Sequence, residues 1–435
     1  MTFIRSRPAV PTFGNNRFIT LLGLSLMTSS MDQTSSDRRT PLTGVKIVDL
    51  TTVVLGPLAS RILADFGAEV IKVETMEGDS TRGYEPLRNK GMSGVFITLN
   101  RNKRSLALDL RTQEGRATLR TLIASSDVFM HNMRPGAIER LGFDYESVRA
   151  LKSDIVYCGA YGFGANGPYR DKPAYDDLLQ AGGGMASLVA RRSGEPDYVP
   201  TVICDKLTAQ AVAYAVLAAL FQKASGRGGQ AVEVPMFETA ADFFSSEHMS
   251  GATFLPPLSD IGSKRILIPE RRPFRTADGY ACILPYSDRN WLDFYEFIGR
   301  TDLAEVPRYQ KLAERFNHIN ELYEVIAEYS PRHTTAEWVE FCDRVSIPCM
   351  PVLDLAKLHE DPHMQAVGLY KEADHPSEGR YRYLRSPITF SGSDFELRRH
   401  APRHGEQSRE VLAEAGLSED EINALIEKGI VKAPS

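Results

Sequence analysis

No pair of cysteines in this chain stands at metal-ligand or redox spacing. Cys158, Cys204, Cys282, Cys342 and Cys349 are scattered and form no CxxC, which argues against a zinc knuckle or a disulfide framework and points to a reducing compartment, the cytoplasm. The nine histidines make no HExxH motif and no Cys/His cluster, so no metal is expected. An unbroken apolar run of the ~20 residues a membrane-spanning helix needs is missing too. With 25% charged residues and a formal net charge of -5, composition favours neither nucleic acid nor a membrane surface as partner.

What is there is a long chain with ample core. Its 435 residues suggest two or three domains, and 43% are hydrophobic. Residues 1–40 stand apart: Arg5, Arg7 and Arg17 precede a short apolar run from Phe18 to Met27 and a polar stretch to Thr40. No A-x-A-like cleavage site follows, so this segment reads as a disordered tail or a start assigned too early, with Met27 or Met31 as the true start, rather than a signal peptide.

From Val45 the pattern is regular. VKIVDL reads as a buried strand, and Pro57 opens a helix whose apolar face is Leu58, Ile62, Leu63 and Phe66, closed by Gly67. EVIKVE is the next strand. The alternation continues with strand Ser105–Leu110, helix Thr112–Ala124, strand Asp127–His131, helix Tyr145–Leu151 and strand Ile155–Ala160. Such alternation predicts an α/β fold, a Rossmann-like parallel sheet covered on both faces. The first strand is followed by TTVVLGP instead of GxGxxG, which speaks against NAD or FAD. Beyond Pro168 come a helix over Ala174–Val189 interrupted by Gly182–Gly184, a long apolar helix from about Leu207 to Lys223, and strand AVEVPM after the turn SGRGGQ. A loop over Ser250–Pro273 leads to a smaller unit from Arg275, and IPCMPV (Ile347–Val352) is expected to return to the sheet.

In an open α/β sheet the ligand lies outside the carboxyl ends of the strands. Those ends carry Thr51, Thr52, Thr75, Asp109–Arg111, Asn132–Arg134 and Tyr161–Gly164, and Arg101, Lys103, Arg104, Arg111, Arg134 and Arg140 gather nearby, a set suited to a polyanion. Asp205, between TVIC and the long helix, reads first as an N-cap. A carboxylate there also serves as a covalent nucleophile, kept ionised by the amides of the helix start.

The ordered phrases LTGVKIVDLT, GPLASRILADFGAEVIKVE, NKRSLALDL, RPGAIERLGF, AYGFGANGP, PAYDDLLQAGGG, SGRGGQAVEV and IPCMPV resemble the family III CoA transferases over about 390 residues from Leu42. The resemblance implies a discontinuous large CoA-binding domain over 41–224 and 350–435, with linkers and an inserted small α+β domain over 225–349. It further implies an interlocked homodimer that acts on acyl-CoA and carboxylic acid substrates, with CoA as substrate and no permanently bound cofactor. By the same resemblance Asp205 is the catalytic nucleophile, Leu108, Arg111, Asn132 and Arg140 contact CoA, and Asp176 and Tyr175 lie at the substrate. Gly182–Gly184 or the loop around Gly262 would donate to oxyanions.

The chain departs from the formyl-CoA transferases in two places. Val54 stands where they have glutamine, and no GGGGQ loop is recognisable near Ile261–Arg272. RRPFRTADG and LPYSDRNW instead resemble a branch handling dicarboxylic or branched acyl groups, for which Arg271, Arg272 and Arg275 would pair a second carboxylate. An α-methylacyl-CoA racemase is the nearest alternative, but it places a histidine beside the aspartate where this chain has Tyr175, a poor base at pH 7. A silent acyl-CoA binding protein is the other alternative, and the presence of Asp205 argues against it.

Overall fold

A computed structural model of the chain describes residues 40–433, so the expectations for residues 1–39 lie outside the described residues. The alternating pattern from Val45 forms β1 (Lys46–Asp49), α1 (Leu55–Asp65), β2 (Glu69–Glu74), α2 (Gly94–Asn100), β3 (Lys103–Leu108), α3 (Gln113–Ala124), β4 (Val128–His131), α4 (Pro135–Leu141), α5 (Tyr145–Leu151) and β5 (Val156–Tyr161). There follow α6 (Asp176–Gly182), α7 (Met185–Ser193), α8 (Ile203–Gln222), β6 (Ala231–Pro235) and α9 (Met236–Ser245). The remaining strands are β7 (Phe274–Arg275), β8 (Tyr280–Ile283), β9 (Cys349–Pro351), the hairpin β10 (Tyr370–His375) and β11 (Gly379–Leu384), and β12 (Val431–Lys432).

The large sheet runs β12-β3-β2-β1-β4-β5-β6. Its inner strands are parallel in the Rossmann order 3-2-1-4-5-6, and β12 adds an antiparallel edge against β3. Period-two alternation sorts its side chains onto two cores. Ile47, Val128 and Met130 face α1, α8 and α9, whereas Val48 and Phe129 face α3 and the helices Ser408–Glu414 and Glu419–Glu427. The chain's end therefore completes a sheet that its beginning started. α1 and α8 share one core through Leu55, Ala59 and Leu63 against Ala209, Val212 and Val216.

The sequence has no unbroken apolar run of membrane length, yet one described helix, Ile203–Arg227, is long and apolar enough to cross a membrane. In this fold it is a core helix, with Cys204, Thr208, Ala209, Val212, Val216 and Ala219 buried, as expected of a helix apolar on most faces.

Three expectations need correction. β6 lies within 225–349 but pairs with β5 in the large sheet. IPCMPV does not return to that sheet: Cys349–Pro351 pairs antiparallel with β8, completing a three-stranded sheet with β7. That sheet packs on its own core of Trp291, Phe294, Tyr323, Trp338 and Phe341. The Gly182–Gly184 run is not a flexible interruption of one helix but the joint between α6 and α7. Gly184 has φ +105°, and a Cβ on Gly183 would come within 2.7 Å of the Leu179 carbonyl oxygen.

Candidate active site

At the carboxyl ends of β1 to β5 a cleft of about 640 Å³ opens. It lies at the point where strand order reverses between β1 and β4, the expected ligand position in an open α/β sheet. Its lining includes Thr52–Leu55, Thr75–Glu77, Leu108–Arg111, Asn132–Arg134, Lys172–Tyr175 and Asp205.

Asp205 is the third residue of α8, whose cap, Val202, makes no side-chain bond. It is therefore not the N-cap the sequence suggested; the polar function at this helix start comes from another helix. Asp176, buried at the start of α6, accepts the Asp205 backbone N–H on Oδ1 at 2.8 Å. Its Oδ2 accepts from Gln180 Nε2 at 2.8 Å. The Asp205 carboxylate itself accepts no hydrogen bond among the described residues. Burial, and then the charge of Asp176, push its carboxyl up to about 7, so the helix-start amides do not keep it fully ionised at neutral pH. Neighbouring Cys204 stays a thiol at neutral pH: burial first, with Asp176 and Asp205 adding, holds it up at about 12.

If the Asp205 carboxylate is the attacking group, its protonation below about pH 7 blocks attack, and kcat/KM for an acyl-CoA should fall with acidification on a limb near 7. Asp176→Asn removes the neighbouring charge and should move that limb to lower pH. A pH–rate profile unchanged by the substitution would count against the coupling.

The other residues singled out from sequence are dispersed. Leu108 is buried at the end of β3, and its neighbour Arg111, largely exposed, pairs with Asp109 at 2.8 Å; both line the cleft. Asn132 lines it too, but its amide is spent on Thr52, accepting the backbone N–H at 3.0 Å and donating to the carbonyl at 2.8 Å. Arg140 sits on the exposed side of α4 and outside the lining, to which Arg134 and Ala137 contribute instead. Tyr175 is 72% exposed at the rim. Gly182–Gly184, Gly262, Arg271, Arg272 and Arg275 do not line the cleft, and the Gly262 N–H is bonded to the His248 carbonyl at 2.7 Å.

The cation cluster is not one cluster. Arg101 is buried against Asp65 at 2.6 Å, Lys103 lies 3.5 Å from Asp49, and Arg104 reaches Glu410 and Glu414. Two further buried pairs, Lys72–Asp79 at 2.8 Å and Arg82–Glu74 at 2.7 Å, join β2 to the turn that follows it. Burial alone would raise the Glu74 carboxyl, but the hydrogen bond and charge of Arg82 overcome it and hold it down at about 2.

Sequence reasoning missed the turn between β1 and α1. Val53 there has φ +71°, rare for a β-branched residue. Its N–H points between the two carboxylate oxygens of Asp79, 3.3 Å from each. The cap of α1, Val54, makes no side-chain bond, and Pro57 has no N–H, so the Leu55 and Gly56 amides are left without a side-chain acceptor among the described residues where Val54 and Leu55 line the cleft. A Cβ on Gly56 would collide with Thr51, 2.1 Å away, and this accounts for the glycine of TTVVLGP.

Fold and cleft define an α/β enzyme of Rossmann type in which the place of a dinucleotide fingerprint is taken by an uncapped helix start, with the Asp176 and Asp205 carboxylates on α6 and α8. The chain belongs to CoA-transferase family III, whose model matches residues 42–408. It is 29% identical over 385 residues to the succinate–glutarate CoA-transferase of Agrobacterium fabrum, covering 87% of this chain and 96% of that one. It is 32% identical over 413 residues to the formyl-CoA:oxalate CoA-transferase of Streptomyces coelicolor, covering 90% and 99%. Among solved structures, a CaiB/BaiF family protein from Brucella suis superposes with a TM-score of 0.74 at 29% identity, covering 87% and 100%.

Proposed function

We propose that this enzyme moves CoA from an acyl-CoA donor to a free carboxylic acid through covalent intermediates on Asp205. One observation carries the reading: Asp205 stands in the cleft wall with its amide fixed by Asp176 and its carboxylate oxygens unengaged among the described residues. Such a carboxylate has lone pairs to offer an electrophile.

In this reading Asp205 attacks the thioester carbonyl, giving a mixed anhydride and CoA thiolate. The thiolate attacks the aspartyl carbonyl, releasing the donor acid and leaving CoA as a thioester on Asp205. The acceptor carboxylate attacks that thioester to regenerate an anhydride, and the thiolate then takes the new acyl group and frees Asp205. The oxyanions that form in these steps meet the Leu55 N–H at the start of α1. Leu108, Arg111 and Arg134 serve the nucleotide end of CoA, and Asn132 holds the Thr52 backbone. Tyr175 closes the rim.

Dicarboxylic acids are the substrates we favour. The relative named for succinate and glutarate supports this, as do Val54 and the missing GGGGQ loop, which distinguish the chain from the formyl-CoA transferases. Succinyl-CoA with glutarate should yield glutaryl-CoA and succinate in equal amounts, with no α-proton exchange in heavy water. Exchange without transfer would point to racemase chemistry instead.

We take the working unit to be an interlocked cytoplasmic homodimer. One chain leaves Leu255 95%, Leu258 76%, Leu355 80% and Phe221 71% exposed, apolar surface that association would remove from water. Light scattering at micromolar concentration should give the mass of two chains; a single-chain mass would contradict the dimer.

A further inference from the structure

Gln180 is buried and held at both ends of its amide. It lies one turn beyond Asp176 on α6, close enough for an (i, i+4) contact. Its Nε2 donates to Asp176 Oδ2 at 2.8 Å, to the Thr201 carbonyl at 3.1 Å and to the Val199 carbonyl at 3.3 Å. Its Oε1 accepts the Val199 N–H at 2.9 Å. A single side chain thus ties α6 to the segment that leads into α8 and completes the hydrogen bonding of the carboxylate that holds the nucleophile's amide.

We propose that Gln180 is a positioning residue that fixes the Asp176 carboxylate on the Asp205 amide and thereby sets the placement of Asp205 in the cleft; this rests on the reading of Asp205 as the acyl acceptor. Asp176 has no ion-pair partner among the described residues, so its charge is answered by N–H donors, one from the Asp205 backbone and one from Gln180. From α8 it meets Cys204 and Asp205. The other charged groups nearby are engaged elsewhere: Glu238 of α9 accepts the Gly164 N–H, Arg191 and Arg192 of α7 donate to the Ile261 and Arg271 carbonyls, and Lys206 donates to Thr201 Oγ1. Asp177 and Tyr175 are exposed.

The consequences differ in sign for two substitutions. Gln180→Met fills the space but withdraws the donor, so the Asp176 carboxylate is released from its fixed place beside Asp205. Gln180→Glu keeps the acceptor for Val199 but turns a third carboxylate toward Asp176 and Asp205.

The test measures kcat/KM for succinyl-CoA against pH in wild type, Gln180→Met and Gln180→Glu, with the covalent adduct on wild-type Asp205 measured alongside. The Met variant should lose kcat and shift the acidic limb down by about half a unit or more, and the Glu variant should shift it up. Variants that lose activity with the wild-type limb in place would overturn the role of Gln180 and leave that of Asp205 standing. Failure of the wild type to form an adduct with succinyl-, acetyl- or oxalyl-CoA would overturn the underlying reading as well. If Gln180→Met does not fold, the near-isosteric Gln180→Glu decides.

Discussion

Asp205→Ala and Asp205→Asn are expected to lose CoA transfer by about 10⁴-fold or more, the scale on which removal of a covalent nucleophile is felt. The same asparagine variant should be more stable than wild type at pH 8. Asp205 has its carboxyl raised to about 7, so the folded state binds this proton more tightly than the unfolded state does. The resulting stability is fully present below the unfolded value of 3.8 and is lost as pH rises through 7. Above that, the wild type carries a half-buried charge beside Asp176, which asparagine avoids. Thermal unfolding should therefore separate the two proteins at pH 8 and bring them together toward pH 4. Equal midpoints at both pH values would mean that Asp205 is not strained by its setting.

Asp79→Ala is expected to destabilise the fold by about 3–5 kcal/mol, because it strands the Lys72 ammonium, buried 2.8 Å from the lost carboxylate. Burial by itself would raise the Asp79 carboxyl, but Lys72 and the hydrogen bonds from Thr81 outweigh it and leave it below its ordinary value. The stability this gives is present at neutral pH and is lost as pH falls through the depressed value; Glu74 behaves in the same way down to about 2. The double variant Lys72→Met with Asp79→Leu removes both charges and should recover much of the stability. It should not recover kcat, because Asp79 also holds the N–H of Val53, whose left-handed backbone costs about 1–3 kcal/mol and sets the start of α1 at the cleft. Denaturant titration and steady-state kinetics on the three proteins check both halves. Recovery of activity along with stability would remove Val53 from the account.

The strands were legible because β4 and β5 are mostly apolar runs, β1 carries Ile47 and Val48, β2 and β3 carry Val70, Ile71, Val73, Leu106 and Leu108, and helices with apolar faces separate most of them. Asp205 was legible as an acid at a helix start, and the resemblance to a family raised it to a nucleophile. Its true position was not legible. TVIC is β-branched and carries no capping signal, so the first turn of α8 looked extended, and the group that binds its amide comes from Asp176, 29 residues away. Distance in sequence also hid the fate of the cations. Lys103 alternates inward to meet Asp49 from another strand, and the Asn132 amide is consumed by Thr52, 80 residues distant. IPCMPV and the two-residue β12 were misread or missed because so short a strand does not specify which sheet edge it joins. Gln180 did leave a sign, its spacing of four from Asp176 within PAYDDLLQ.

The most direct measurement is intact-mass spectrometry of the protein mixed with succinyl-CoA, followed by hydroxylamine or borohydride trapping and peptide mapping, for wild type and Asp205→Ala in parallel. The account predicts a covalent adduct on wild type that maps to Asp205 and is absent from the variant. Turnover without an adduct, or an adduct that persists in Asp205→Ala, would contradict it.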